Sequence, residues 1–360
     1  MPYTIPIGPY HPALEEPYKL SVRCVGETVQ QAKIEIGVTC RVIELLVQKR
    51  EWVPAVTLIE RVCGICSNVH AMTFCRAAEQ IAGIEVPARA RYIRTIIAEL
   101  ERMHSHLLWA GVAAECIGFH TLFMEIYALR EQVMDLLETI SGNRVNYGMN
   151  RIGGVNRDIP DDPEALIAAT QAMAEPIERD IVPAFMNNPT ATRRMSGIGP
   201  LSKEHAIEWG VVGPMARASG LEIDIRADRP YNAYQELGFK IVTQQAGDVQ
   251  ARVVVRALEM LESVRLVTEA LRTIPSGPLR AFEGMPRIPP GEGFAVTEGP
   301  RGEAFYYVAS DGGTTPTRVK IRTPSFVNVP SLEVMIVGQQ FSDMPLIQAS
   351  TDPCVACIDR

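Results

Sequence analysis

"RVCGICSNVH" occupies residues 61–70 and "DPCVACIDR" residues 352–360, and the fold turns on whether these two stretches meet. Each holds a Cys-x-x-Cys pair, Cys63/Cys66 and Cys354/Cys357, with Cys354 following Cys66 by 288 residues. That spacing lets two thiolates converge on one ion, and soft sulfur donors select zinc, copper(I), iron or nickel over magnesium or calcium. A zinc ribbon keeps its two pairs closer together, and a thioredoxin-type site takes one pair beside a βαβ unit, so neither accounts for both pairs. The intervening chain is no obstacle, since each doubling of a loop adds only about 0.6 kcal/mol of closure entropy. The alternative is an incidental exposed dithiol at the second pair.

Outward from the cysteines, 360 residues with 47% hydrophobic content suffice for a full core. A formal charge of −7 and a pI near 5.5, with no basic run, argue against nucleic acid or an anionic lipid surface as the main partner. The opening "MPYTIPIGPYHPALEEP" has no basic region followed by an apolar run, so the expectation is a cytoplasmic protein without a secretory signal. The apolar window "LLWAGVAAECIGF" (107–119) is too short, and too interrupted by Glu115, to cross a bilayer. Membrane attachment is therefore expected only through partners. Eight cysteines in such a chain suit a reducing compartment, where paired thiols bind metal or do redox work.

Alternation in "YKLSVRCVGETVQQAKIEIGV" (18–38), with Gly26 near its turn, predicts an antiparallel hairpin. Apolar residues recur at helical spacing through 89–142, giving two long buried helices with Gly142 as a stop, and again in 163–186 and 246–274. These four helices are expected to form a central bundle. Residues 275–302 are rich in Pro and Gly, after which "EAFYYVASDGG" and "TRVKIRTPS" read as a second hairpin. The expected fold class is thus α+β. One domain spans 1–360, with an N-terminal α+β part (1–60), a helical bundle (61–274) and a C-terminal α+β part (275–360).

The flanks of the cysteines carry a resemblance. "ERVCGICSNVH" (60–70) and "DPCVACIDR" (352–360) resemble the two nickel-binding motifs of [NiFe]-hydrogenase large subunits. "GPYHPALEEPYKL" (8–20), "VPARARYIRTIIAELERMHSHLL" (86–108) and "EGPRGEAFYYVASDG" (298–312) resemble segments shared with the 49 kDa quinone-site subunit of respiratory complex I. Together they point to the membrane-bound, energy-converting branch of the hydrogenases, the Ech and CO-induced type. The complex I subunits lack these cysteines, whereas this chain has all four.

The resemblance implies a nickel–iron centre with carbonyl and cyanide on iron, Cys63 and Cys354 as terminal nickel ligands, and Cys66 and Cys357 as bridges. Arg301, in the "GPRG" turn, is then the arginine over the bimetallic site; its local sequence alone reads as a surface hairpin arginine. His70 is then placed to donate a hydrogen bond to a bridging sulfur, the alternative being an ordinary core histidine, and Asp352, before Pro353, is expected to fix the turn that presents Cys354. Glu16 aligns with the glutamate that takes a proton from the terminal thiolate, here Cys354, whereas Glu15 has no such counterpart. By the same resemblance Glu44 is either a carboxylate supporting the metal ligands from behind or one at an accessory magnesium site, but Arg360 stands where many hydrogenases have a histidine that helps bind that metal. His104 and His106 read as structural side chains. Cys24, Cys40, Cys75 and Cys116 read as isolated thiols without a role.

The implied activity is the reversible conversion of two protons and two electrons into hydrogen, in the hydrogen-evolving direction. With no further cluster motif in the chain, electrons are expected from a small subunit with a [4Fe-4S] cluster, fed by a ferredoxin-like subunit. Integral membrane subunits would couple the reaction to ion movement from the inner face of the cell membrane, and maturation proteins would build the centre. The rival readings are a complex I-type quinone-site subunit without nickel and iron, and a structural zinc protein.

Overall fold

The N-terminal sheet is antiparallel in the order β1 (Tyr3–Ile7), β2 (Lys19–Val25), β3 (Thr28–Glu35). It belongs to a computed structural model that describes residues 2–14 and 16–360, so Glu15 lies outside the described residues. The alternation read in 18–38 becomes β2 and β3, joined through Gly26 at φ 58°. Leu20, Val22 and Cys24 turn into the core while Arg23 and Val25 stay exposed. Strand β1, "YTIPI", is an addition to the expected hairpin and pairs with the free edge of β2.

The expected helical bundle forms. A 29-residue helix, Ala88–Cys116, runs about 44 Å and packs against His120–Ser141 and Val249–Thr273. Gly142, in the left-handed region, ends the second of these and donates to Glu138 O at 2.7 Å. Asp162 and Asp248 cap their helices by accepting from Ala165 N and Ala251 N. The stretch 163–186 is helical with a π turn at Ile177–Ile181, where Val182 N bonds back to Ile177 O, just before Pro183, which has no N–H to give.

Two elements differ from the sequence reading. Ser67–Ala82, directly after the first cysteine pair, is a 16-residue helix. The second sheet also has three strands rather than two. After the two-residue strands β4 (Asn150–Arg151) and β5 (Gly154–Val155) come β6 (Pro290–Gly299), β7 (Gly302–Asp311) and β8 (Arg318–Arg322), all antiparallel. Strand β6 lies in the Pro- and Gly-rich stretch, and its glycines have a packing reason. A Cβ on Gly293 would sit 2.4 Å from Ala77 O, so the bare backbone lets Ser67–Ala82 lie against the sheet.

The buried side chains form one large core around the bundle and a smaller one beside it. The smaller core holds Trp52, Phe74, Tyr306 and Ile321 together with Cys63, Cys66, Cys354 and Cys357. Among the described residues, no helix is long and apolar enough to cross a membrane.

Candidate metal centre

Each cysteine pair sits where a loop turns into a helix. Cys66 is the N-cap of Ser67–Ala82, and Cys354 is the N-cap of the short helix Val355–Asp359. Second-motif backbone is held by Cys354 N donating to Ser325 Oγ (3.2 Å) and Thr323 Oγ1 donating to Cys357 O (3.0 Å). Asp359 accepts from Gly37 N and Thr39 N, each at 2.8 Å, and ties that helix to the N-terminal part. Arg41 spans both motifs, donating to Arg61 O (2.7 Å), Val62 O (2.8 Å) and Ala356 O (2.6 Å).

The result is one cluster of four buried thiols. Cys63 Sγ lies 3.4 Å from Cys354 Sγ, and Cys66 Sγ lies 3.7 Å from Cys357 Sγ. The ligand atoms of Cys63, Cys66 and Cys357 all fall within 4.8 Å of one another. These separations are far beyond a disulfide bond of about 2.05 Å. They match two thiolates on one ion, given metal–sulfur bonds of about 2.3 Å. Hydrogen bonds from Cys354, Cys357 and Cys66 push the Cys63 thiol well down, whereas Cys357 is pushed well up by its bonds to Cys354, Cys63 and Cys66 and by burial. Protons thus hold the cluster together as far as one thiolate; four thiolates need a multivalent cation. The donor set fits soft transition metals.

His70 and Arg301 reach the cluster from opposite elements. Burial drops the His70 imidazole to about 4, so it is neutral at pH 7. Its Nδ1 is 2.7 Å from Tyr306 Oη and its Nε2 3.4 Å from Cys357 Sγ. Burial keeps the Tyr306 phenol protonated. With Tyr306 donating to Nδ1, the neutral ring keeps its proton on Nε2, facing the Cys357 sulfur; that is the tautomer a metal-bound thiolate there requires. Arg301 is 3% exposed, not a surface hairpin arginine. It occupies the two-residue loop between β6 and β7 and donates to Asp352 O (2.9 Å), Asp352 Oδ1 (2.6 Å) and Ser105 Oγ (3.3 Å). The turn is clamped from outside: Arg102 donates to Glu298 O and Gly299 O, and Gly213 approaches so closely that a Cβ there would sit 2.4 Å from Arg301 O. Asp352 itself has φ 53° ahead of Pro353, the bend that aims Cys354 inward.

Glu16 accepts a hydrogen bond from Val355 N, which places its carboxylate beside Cys354. Burial pushes that carboxyl up, against the Val355 hydrogen bond and the Arg301 charge. A second carboxylate, unremarked in the sequence, lies on the first-motif side. Glu101, fully buried, accepts from Asn68 N (2.7 Å) and Val69 N (3.1 Å), and burial pushes it well above the ordinary range.

The family model described as "Nickel-dependent hydrogenase" matches residues 41–110, and that described as "Respiratory-chain NADH dehydrogenase, 49 Kd subunit" matches 116–286 and 279–360. The chain is 41% identical to the carbon monoxide-induced hydrogenase of Rhodospirillum rubrum over 99% of both chains. This chain belongs to the family of energy-converting hydrogenase large subunits and complex I 49 kDa subunits. It is also 39% identical to the membrane-bound hydrogenase subunit alpha of Pyrococcus furiosus (99% of this chain, 87% of that one) and 34% identical to an NADH-quinone oxidoreductase subunit of Geotalea uraniireducens (99% and 98%). A solved chain of the membrane-bound sulfane sulfur reductase, an archaeal respiratory membrane complex, superposes with a TM-score of 0.94 at 35% identity, covering 99% of this chain and 98% of that one. Relatives in this family are subunits of membrane-bound hydrogenase or respiratory complexes.

Within the family frame, Glu44 does not fit an accessory magnesium site. Its Oε1 accepts from Ile321 N and Arg360 Nε, both at 3.0 Å, and its Oε2 from Lys320 Nζ at 2.8 Å. Burial works against its charge, but these bonds hold its carboxyl below the usual range. A further cation there would face the positive charges of Lys320 and Arg360, which already occupy the carboxylate. His104 and His106 are buried off the cluster: His104 Nδ1 accepts from Arg130 Nε (3.1 Å) and His106 Nε2 faces Glu259 Oε2 (2.9 Å). Among the described residues, Cys24, Cys40, Cys75 and Cys116 form no disulfide, and none of them joins the thiol cluster.

Proposed function

We propose that this chain is the catalytic subunit of an energy-converting [NiFe]-hydrogenase, interconverting two protons and two electrons with hydrogen. The observation that carries the reading is the meeting of Cys63, Cys66, Cys354 and Cys357 in one buried cluster, with His70 Nε2 at Cys357 Sγ and the buried Arg301 guanidinium fastened to Asp352 just ahead of Cys354. A nickel–iron centre bound there, with carbonyl and cyanide on iron, would supply the reversible two-electron chemistry. Cys63 and Cys354 would hold nickel, and Cys66 and Cys357 would bridge to iron.

The chain's own residues then have separable tasks. His70 donates from Nε2 toward Cys357 and tempers the charge on that sulfur. Arg301 would offer a fixed, permanently charged guanidinium, held by Asp352 and Ser105, to the bimetallic centre. Glu16 takes the proton from the Cys354 thiol and passes it outward. The four thiols belong to the same buried apolar core as Trp52, Phe74 and Ile321, and each is 6% exposed or less.

Electrons would enter through a small subunit with a [4Fe-4S] cluster fed by a ferredoxin-like subunit. Integral membrane subunits would hold the chain at the inner face of the membrane and couple turnover to ion movement, and maturation proteins would insert the metals. Metal analysis with infrared spectroscopy of the matured protein tests the reading: nickel and iron with carbonyl and cyanide bands are expected, and zinc alone would sink it. A metal-free quinone-site subunit draws support from the 49 kDa match over 116–360. It leaves the four converging thiols without a purpose, and a matured protein free of metal is the result that would favour it.

A further inference from the structure

Between the first cysteine pair and the surface lies a band of polar groups that packing alone leaves incompletely paired. Glu101 is fully buried and, among the described residues, pairs with no lysine or arginine; its partners are the first N–H groups of Ser67–Ala82. The loop 143–150 folds over that helix start, with Ser67 Oγ donating to Val145 O (2.7 Å) and Asn150 Nδ2 to Asn68 Oδ1 (2.6 Å). Gly148 N donates to Glu60 Oε1 (3.1 Å), and Glu60 lines a cleft of about 350 Å³ together with Thr57, Asn150 and Asn156. Because Asn68 and Val69, two and three residues beyond Cys66, donate to the Glu101 carboxyl, it is anchored beside the first motif.

Along this band, and among the described residues, Tyr147 Oη, Asn68 Nδ2 and Asn150 Oδ1 are buried without a hydrogen-bond partner. Tyr147 is 3% exposed, Asn68 0% and Asn150 2%. Each such group costs roughly 1–3 kcal/mol if left unmet, and buried waters characteristically settle on clusters of this kind, making about three bonds apiece. Three orphaned groups in one seam, with a carboxyl at each end, describe a hydrated wire. An ordinary helix-capping role explains two bonds to Glu101 but not the orphans, and Glu60, which pairs with Arg61 Nη1 at 3.5 Å, opens on the cleft at the far end.

We propose that Glu60, Tyr147 and Glu101, with waters held by Asn68 and Asn150, form a second proton path that joins the cleft to the Cys63/Cys66 side of the centre. It rests on the hydrogenase reading and is distinct from the Glu16 route on the Cys354 side. In the evolving direction Glu60 takes a proton from hydronium in the cleft, leaving water. The proton hops through the waters, and Glu101 hands it to a first-motif thiolate, breaking its O–H bond as an S–H bond forms. Glu101 is then reprotonated from Glu60. No electrons move in these steps.

The test uses the matured complex. Nickel, iron and the carbonyl and cyanide bands are measured first in every variant; their absence in the wild type overturns the hydrogenase reading regardless of Glu101. With metals present, Glu16→Gln should retain residual hydrogen–deuterium exchange, and adding Glu101→Gln or Tyr147→Phe should cut that residual on the order of tenfold or more. Tyr147→Phe removes only an unpartnered oxygen, so folding is not at risk. A readout independent of turnover is the infrared band of a buried protonated carboxyl. It should shift in heavy water, vanish in Glu101→Gln, and exchange more slowly in Tyr147→Phe. An unchanged residual in both double variants, a metal-loaded Glu16→Gln protein with no exchange at all, or a wild type lacking that band overturns the path.

Discussion

Arg301 grips Asp352 at two points, Nε to the main-chain oxygen at 2.9 Å and Nη2 to Oδ1 at 2.6 Å, with both side chains almost fully buried. A planar fork makes this double contact and a lysine cannot. Arg301→Lys should therefore keep nickel and iron but lower hydrogen evolution by about 100-fold, the scale of losing one fixed electrostatic donor. Metal content and turnover measured on the same preparation check this, and wild-type turnover would remove Arg301 from the chemistry.

Cys66 and Cys357 face each other at 3.7 Å on the proposed bridging edge. Because each would be shared by both metals, Cys66→Ser or Cys357→Ser should lose nickel and iron together. Elemental analysis reading a normal complement of either metal would contradict the shared-ligand assignment.

The Glu16 carboxylate is fastened to Val355 N, one residue beyond Cys354. Gln keeps the shape and an acceptor but exchanges no proton, so Glu16→Gln should lose hydrogen–deuterium exchange by about two orders of magnitude or more while the carbonyl and cyanide bands persist. Glu15→Gln should be nearly silent. Equal behaviour of the two variants would mean that the Cys354 proton leaves elsewhere.

Arg360 and Lys320 already neutralise Glu44. Matured protein dialysed against metal-free buffer should retain no magnesium, and Arg360→Ala should destabilise the fold by about 1 kcal/mol, the upper range for a partly exposed ion pair. Stoichiometric bound magnesium by elemental analysis would reverse this account.

Burial, with the Asp224 charge, lifts Glu298 to about 7 from 4.5, against Arg217. The folded state thus binds this proton more tightly than the unfolded chain does, so its share of stability falls as pH rises from about 4.5 to about 7. Urea midpoints taken at about pH 5 and about pH 8 should show a drop in the wild type that Glu298→Gln reduces. An identical drop in both proteins would assign the pH dependence to other groups.

The hairpin turns, the long helices and the two cysteine motifs were legible because each announces itself within a dozen residues. Their convergence on one site followed from the resemblance, since spacing alone left a lone dithiol open. What escaped was whatever depends on a distant partner. Arg41 looks like any loop arginine until its guanidinium meets Val62 O and Ala356 O, the latter 315 residues away. Tyr306 reads as one more strand aromatic until it orients His70. Glu101, three residues before His104, sits in a helix whose charges alternate with apolar residues, and nothing local says that it faces inward. Strand β6 was hidden by the glycines that its close packing against Ala77 requires.

The 288 residues between Cys66 and Cys354 also set a clock. At about 5–20 residues per second, a ribosome makes the first thiols roughly 15–60 s before the second pair exists. Throughout that interval half the donor set is exposed to whatever ion is most abundant, and the other half, once made, closes over it. Loading order therefore cannot be left to affinity. If the proposed centre is built there, its metals would have to reach Cys63 and Cys66 before Asp359 docks on Gly37 and Thr39, which would make that docking a commitment step for assembly.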